Sequence, residues 1–170
     1  AESLSNESSS DDRRRPSDTA NRCWLAVVDI DHFKRVNDTH GHLIGDEVLI
    51  LVAQLMRKTF RNADRLYRFG GEEFVVLLRT DQSADAAFVF ERLRSTVARF
   101  EFPQAGSLTV SIGFTEVTPN DTPSSAFERA DQAVYHAKSH GRNQVVDHDN
   151  LLRRGEVAAT AHTPAAVEFF

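Results

Sequence analysis

The sequence predicts an α+β fold: a central antiparallel sheet of ferredoxin-like or palm type with flanking helices. Three observations predict it. Short apolar runs read as strands, longer segments repeat their apolar residues at helical spacing, and the two kinds occur in the order β-α-β-β-α-β, followed by one further helix and strand. In that arrangement the first strand lies beside the second strand of the hairpin. The end of the first strand then stands next to the hairpin turn.

Each element has its own signal. Residues 24–30 form an apolar run ending in Asp29-Ile30-Asp31, the pattern of a buried strand. Across residues 46–60, Val48, Leu49, Val52, Leu55 and Met56 fall on one helical face, with Asp46 at its start. Residues 65–69 and 74–78 flank Gly70-Gly71, which predicts a hairpin. A second helix over 84–100 turns Ala86, Val89, Phe90, Leu93, Val97 and Phe100 inward. Leu108, Val110, Ile112 and Phe114 alternate with Thr109, Ser111, Gly113 and Thr115, as in a half-buried strand. Thr122-Pro123 gives an N-cap and a proline at the first helical position. That third helix runs to about Ser139, with Ala126, Ala130, Ala133, Val134 and Ala137 on one face and Gly141 as its stop. Residues 143–146 are the last strand.

Composition narrows the function. The chain has 170 residues, 20 basic against 25 acidic, and a net charge of -5. Such a balance argues against a general grip on a nucleic-acid polymer. One cysteine, Cys23, excludes an intrachain disulfide. No apolar run is long enough for a transmembrane helix, and no signal-peptide core opens the chain. The cytoplasm is the expected location, alone or as the cytoplasmic part of a larger, membrane-attached protein. Residues 1–21, rich in serine with an Asp11-Asp12-Arg13-Arg14-Arg15-Pro16 run, read as a flexible or cloning-derived N-terminal segment. Residues 22–148 read as the folded domain, the one to carry any catalytic site, and 149–170 as a C-terminal tail.

The chemistry-bearing residues gather at the predicted adjacency. Asp29 and Asp31 end the first strand; Glu72 and Glu73 follow the glycine pair. Converging carboxylates repel one another unless a cation sits among them, and hard oxygen ligands favour Mg²⁺ or Mn²⁺. Gly70 and Gly71 leave room for a nucleotide against the backbone.

The motifs sharpen this. Gly70-Gly71-Glu72-Glu73-Phe74 resembles the GGDEF signature of diguanylate cyclases, in its GGEEF variant. Residues 29–38, Gly41-His42 with Gly45-Asp46-Glu47-Val48-Leu49, and Arg129-Ala130-Asp131 through Gly141-Arg142-Asn143 resemble three further family blocks, in order. The family's usual Asp-x-Leu-Thr-Gly-Leu-x-Asn-Arg segment before the first strand is not found.

The resemblance implies synthesis of cyclic dimeric GMP from two GTP by a homodimer of facing domains; the alternative is a catalytically silent regulatory or receptor domain that binds GTP or cyclic dimeric GMP. The resemblance also implies two Mg²⁺ (or Mn²⁺) per half-site, held by Asp29, Glu73, the Ile30 carbonyl and Glu72, with Glu72 and Glu73 as the catalytic acids. Asn37 and Asp46 match guanine contacts. Phe33, Lys34, Lys138 and Arg142 match phosphate contacts. Arg61 and Asp64, in an RxxD pattern, and Arg92 match a product-inhibition site. An upstream sensory or receiver domain, not present in this chain, is the expected regulator.

Overall fold

Strand β1 (Cys23–Ile30) lies at the centre of a five-stranded sheet and is buried along nearly its whole length. A computed structural model describes residues 22–157. Antiparallel to β1 on one side is β3 (Glu73–Arg79), which pairs outward with β2 (Arg65–Arg68). On the other side β1 pairs antiparallel with β6 (Val110–Val117), and β6 pairs in parallel with β7 (Val145–Asp147). The order is β2-β3-β1-β6-β7. The predicted neighbours β1 and β3 are therefore in register, and the last strand is parallel because a helix crosses over between it and β6.

Alternation along β1 sends its residues to two different cores. Trp24, Ala26, Val28 and Ile30 pack with residues of α2 (His42–Thr59) and α3 (Ser83–Arg99). Leu25 and Val27, with Val75 of β3, pack under α4 (Pro123–Ser139) against Ala126, Ala130 and Val134. The small residues let α4 come close: a Cβ on Gly113 would stand 2.4 Å from the Ala130 carbonyl and the Val134 nitrogen. The predicted α4 start is present. Thr122 accepts from the Ser125 N–H, Ser125 Oγ accepts from the Thr122 N–H, and Pro123 follows the cap. At its other end the Arg142 N–H reaches back to the Ala137 carbonyl past Gly141, the pattern of a Schellman stop.

Several expectations change. Helix α1 (Phe33–His40) was not predicted, because only Phe33 and Val36 of its eight residues are buried and no periodic stripe forms. Gly41, at φ 85, separates it from α2, which starts at His42. Asp46 therefore sits in the second turn of α2 rather than at its start. The strand predicted as half-buried is covered on both faces: Ser111 and Thr115 are buried, and their hydroxyls bond to Asp31 and Arg129. A two-residue pair, β4 (Glu101–Phe102) and β5 (Gly106–Ser107), precedes β6. Where a tail was read from residue 149, helix α5 (His148–Arg153) buries His148 and Leu151. No helix among the described residues is long and apolar enough to cross a membrane.

Candidate active site

The parity that places Leu25 and Val27 under α4 also turns Asp29 toward α4, and Val75 carries Glu73 with it. Asp29 and Glu73 are direct register partners across β1 and β3. From α4, the Lys138 ammonium donates to Asp29 Oδ2 at 2.7 Å. Asp29 is 2% exposed. Burial pushes its carboxyl above the ordinary range, against the pull of Lys138, and Glu72 and Asp31 add repulsion. Burial, then Asp29, then Asp131 push Glu73 up to about 7. Two neighbouring carboxyl groups, only one of them bonded to an ammonium, resist being ionised together.

Glu72 lies in the turn. Its carbonyl accepts from the Ile30 N–H at 3.3 Å, which ties the hairpin to the end of β1. Gly70 takes φ 69, and the Phe69 N–H closes the loop onto the Glu73 carbonyl. Neither Gly70 nor Gly71 has any atom near where a Cβ would stand, so the turn is open to a ligand.

Asp31 differs from its neighbour. Its carboxylate accepts from Thr109 Oγ1 and Ser111 Oγ, both at 2.7 Å, and from the Asn143 N–H at 3.0 Å. It joins β1 to β6 and to the turn after α4.

The remaining nucleotide candidates line α1, α2 and the end of α4. Asn37 Oδ1 is buried without a hydrogen-bond partner, and a Cβ on Gly45 would stand 1.9 Å from it. Gly45 is thus the gap that admits the Asn37 amide. Asp46 and Lys34 are exposed. Phe33 is buried in the core, so its ring is not free for a ligand. Exposed Arg142 stands beyond the C-terminal end of α4, with φ 60.

Arg61, Asp64 and Arg92 form a separate region at the far end of α2. Asp64 accepts from the Arg61 and Arg79 backbone N–H groups, at 2.9 and 3.2 Å. Arg92 donates to the Thr59 carbonyl at 2.7 Å. Among the described residues no ion pair joins Arg61 to Asp64; the carboxylate braces a turn and leaves the Arg61 guanidinium in solvent. On α4 and just past its end, His136 and His140 stack with centroids 3.8 Å apart, and His136 pairs with Glu156 at 3.1 Å.

Two groups went unassigned in the sequence. Asp131 adds its charge to Glu73, and its spacing of seven from Lys138 along α4 was the available signal. Arg94 donates to Asn143 Oδ1 at 2.8 Å, across a separation no local pattern reveals.

Comparison with known proteins fits this geometry. Residues 3–144 match the family model described as diguanylate cyclase, GGDEF domain. The chain belongs to the GGDEF family. The matched range includes residues 3–21, which lie outside the described residues. This GGDEF domain is 49% identical over 124 residues to diguanylate cyclase DgcP of Pseudomonas aeruginosa, covering 71% of this chain and 18% of that protein. The GGDEF domain of DgcB from Caulobacter crescentus, solved in complex with c-di-GMP, superposes with TM-score 0.70 at 37% identity over 76% of this chain and 79% of that one. The active GGEEF domain of a Vibrio cholerae diguanylate cyclase gives TM-score 0.69 at 31% identity, over 75% and 83%. The chain spans between 18% and 36% of the length of the first curated relatives it matches.

GGDEF diguanylate cyclases use a divalent metal, and the donor set here fits one. Among the described residues no three His, Cys, Asp or Glu side chains form a closed ligand cluster. The protein offers instead two adjoining carboxyl groups, Asp29 buried and Glu73 half-buried, of which Asp29 already draws in an ammonium. One or two carboxylates, with phosphate and water completing the shell, is the usual Mg²⁺ arrangement.

Proposed function

We propose that this domain condenses two GTP into cyclic dimeric GMP as one half of a homodimer. The observation that carries the reading is the Asp29–Glu73 register pair, two desolvated carboxyl groups whose joint ionisation is disfavoured until a cation joins them, at an open glycine turn. In this reading Asp29, Glu73 and the Ile30 carbonyl hold two Mg²⁺ (or Mn²⁺), with Glu72 assisting. The metal supplies Lewis acidity and a template for the phosphates. Asn37 and Asp46 read the guanine edge; Asp46 accepts from its N1 and N2 donors. Lys34, Lys138 and Arg142 hold the triphosphate. On nucleotide binding Lys138 exchanges Asp29 for phosphate.

The 3′-hydroxyl of one nucleotide attacks the α-phosphorus of the other. One P–O bond forms, the bond to pyrophosphate breaks, and Glu72 or Glu73 receives the hydroxyl proton. The reciprocal attack closes the ring and releases a second pyrophosphate. Each domain binds one GTP, so two must face each other. The wider proposal includes a cytoplasmic location, control by an upstream domain, and product feedback at Arg61, Asp64 and Arg92. Two arginines, able to grip phosphate and stack on guanine, support that last part.

The test is incubation of concentrated protein with GTP and Mg²⁺, followed by chromatographic separation of nucleotides. The control omits magnesium, and a heat extract made beforehand reports co-purified product. Magnesium-dependent cyclic dimeric GMP, abolished by Glu73→Ala, is the expected result. Synthesis that persists in Glu73→Ala overturns the metal assignment. A protein that is product-free and silent even when forced to dimerise overturns the cyclase reading.

A further inference from the structure

The turn after α4 runs through three consecutive residues of positive φ: Gly141 at 108°, Arg142 at 60° and Asn143 at 48°. Only the first is glycine. Two side-chain-bearing residues in the left-handed region are strained and persist only where their surroundings over-determine them. Here the surroundings do. The Arg142 N–H bonds to the Ala137 carbonyl, and the Gln144 amide reaches the carbonyls of Ala137, His140 and Arg142. Those contacts are local to the turn.

Two others come from far along the chain. Asp31 Oδ2 accepts the Asn143 N–H at 3.0 Å, 112 residues away, and Arg94 Nη1 donates to Asn143 Oδ1 at 2.8 Å. Asp31 is 3% exposed, and its carboxylate is held in place by Thr109, just before β6, and by Ser111 within it. Arg94 is held by Glu91, one turn earlier on α3. The turn is therefore gripped from the sheet and from α3 at a single residue, Asn143. The residue beside it is the exposed Arg142, and the helix it terminates carries Lys138, which reaches Asp29.

We propose that Asp31, through its bond to the Asn143 N–H and with Arg94 on the same residue, is a positioning residue that sets the left-handed turn and so aims Arg142 at the nucleotide phosphates. This rests on the GTP reading above. Asp29 lies in β1 and Asp31 just past its end, and the two divide the work. Asp29 faces α4 with charge to spare; Asp31 spends its oxygens on two hydroxyls and one N–H. Nothing in this role needs Asp31 to touch substrate. It acts on the geometry of the turn that presents Arg142.

The experiment compares GTP kinetics of the whole chain in the wild type, Asp31→Ala, Asp31→Asn and Asn143→Val, with thermal melts of each. Asp31→Ala is expected to raise the KM for GTP about tenfold with kcat changed less than about threefold, since it loosens ground-state phosphate binding. Asp31→Asn is expected to recover most of that loss, because its amide oxygen still accepts the Asn143 N–H and the Thr109 hydroxyl, and the Ser111 hydroxyl can rotate to accept from its NH₂. Asn143 is exposed, so Asn143→Val tests the turn without disturbing the core: a β-branched residue resists positive φ, and KM is expected to rise as in Asp31→Ala. KM values of folded Asp31→Ala and Asn143→Val that match the wild type overturn the proposal. So does an Asp31→Asn variant as impaired as Asp31→Ala. If Asp31→Ala does not fold, Asn143→Val decides alone. A wild type that neither binds nor converts GTP fails the functional reading instead, and is told apart by that control.

Discussion

Two aspartates of this domain pair with cations at nearly the same distance and end in opposite electrostatic states. Asp121, in the loop before α4, meets Arg129 with both oxygens at 2.6 and 2.7 Å. It also accepts from the Thr118 N–H and hydroxyl and from Ser125 Oγ. The Arg129 guanidinium, ahead of all else, holds its carboxyl far below the usual range. Asp29 meets Lys138 at 2.7 Å, yet burial and the neighbouring acids leave its carboxyl above the usual range. The difference lies in surroundings rather than residue type. Asp121 has a partner for every lone pair that matters and no acid beside it. Asp29 has one donor and shares its site with Glu73. A satisfied carboxylate serves the fold; an under-compensated one at an open turn is what the proposed function assigns to a cation.

Substitutions can break that comparison at either end. The largest effect is expected at Asp29. Asp29→Asn should lower cyclic dimeric GMP synthesis by about 10³-fold, on the order of 4 kcal/mol of transition-state stabilisation. Its melting temperature should stay level or rise, because a repelling charge is gone. A stability loss equal to that of an Asp121 variant would erase the distinction. Next, Asp121→Ala should destabilise the fold by about 2–3 kcal/mol in urea unfolding, since Arg129 is left part-buried without its partner. The folded fraction should bind GTP as the wild type does.

The pH dependence of the two regions carries opposite signs. Asp121 has a depressed carboxyl, so its contribution is present above pH about 4 and lost as pH falls below it. Glu73, pushed from 4.5 to about 7, holds its proton in the folded state where the unfolded chain has released it. Stability should therefore fall as pH rises through that window, by about 1–2 kcal/mol after allowance for solvent screening. Glu73→Gln should remove the fall, as urea titrations at pH 5 and pH 8 would show. The smallest effect is expected at Arg61. Its guanidinium is in solvent, so Arg61→Ala should change stability by less than about 0.5 kcal/mol. Under the feedback proposal it should prolong synthesis as product accumulates, measured as a progress curve.

How much of this was legible in the chain follows from the range of each interaction. The β1, α2, hairpin, α3, β6 and α4 signals are local: period two, period 3.6, a glycine pair, and a Thr-Pro cap. They fixed the order of elements, and with it the expectation that Asp29 lies beside the Gly70-Gly71 turn. Helix α1 escaped because two buried residues make no period, and α5 because its burial depends on the helix it packs against. Ser111 and Thr115 looked solvent-facing since hydroxyls alternate with apolar residues there. Their partners, Asp31 and Arg129, come from other elements.

The residue types that bear the chemistry, and the order of strands and helices that brings them near each other, were thus written locally in the sequence. The tertiary structure alone divided the acids among their tasks. It set Glu73 rather than Glu72 in register with Asp29, gave Asp31 to a turn 112 residues away, and placed Asp131 and Lys138 above the pair. The physical reason is that a carboxylate's role depends on burial and on charges within a few ångströms. Those neighbours arrive from distant parts of the chain only when the sheet and α4 close together.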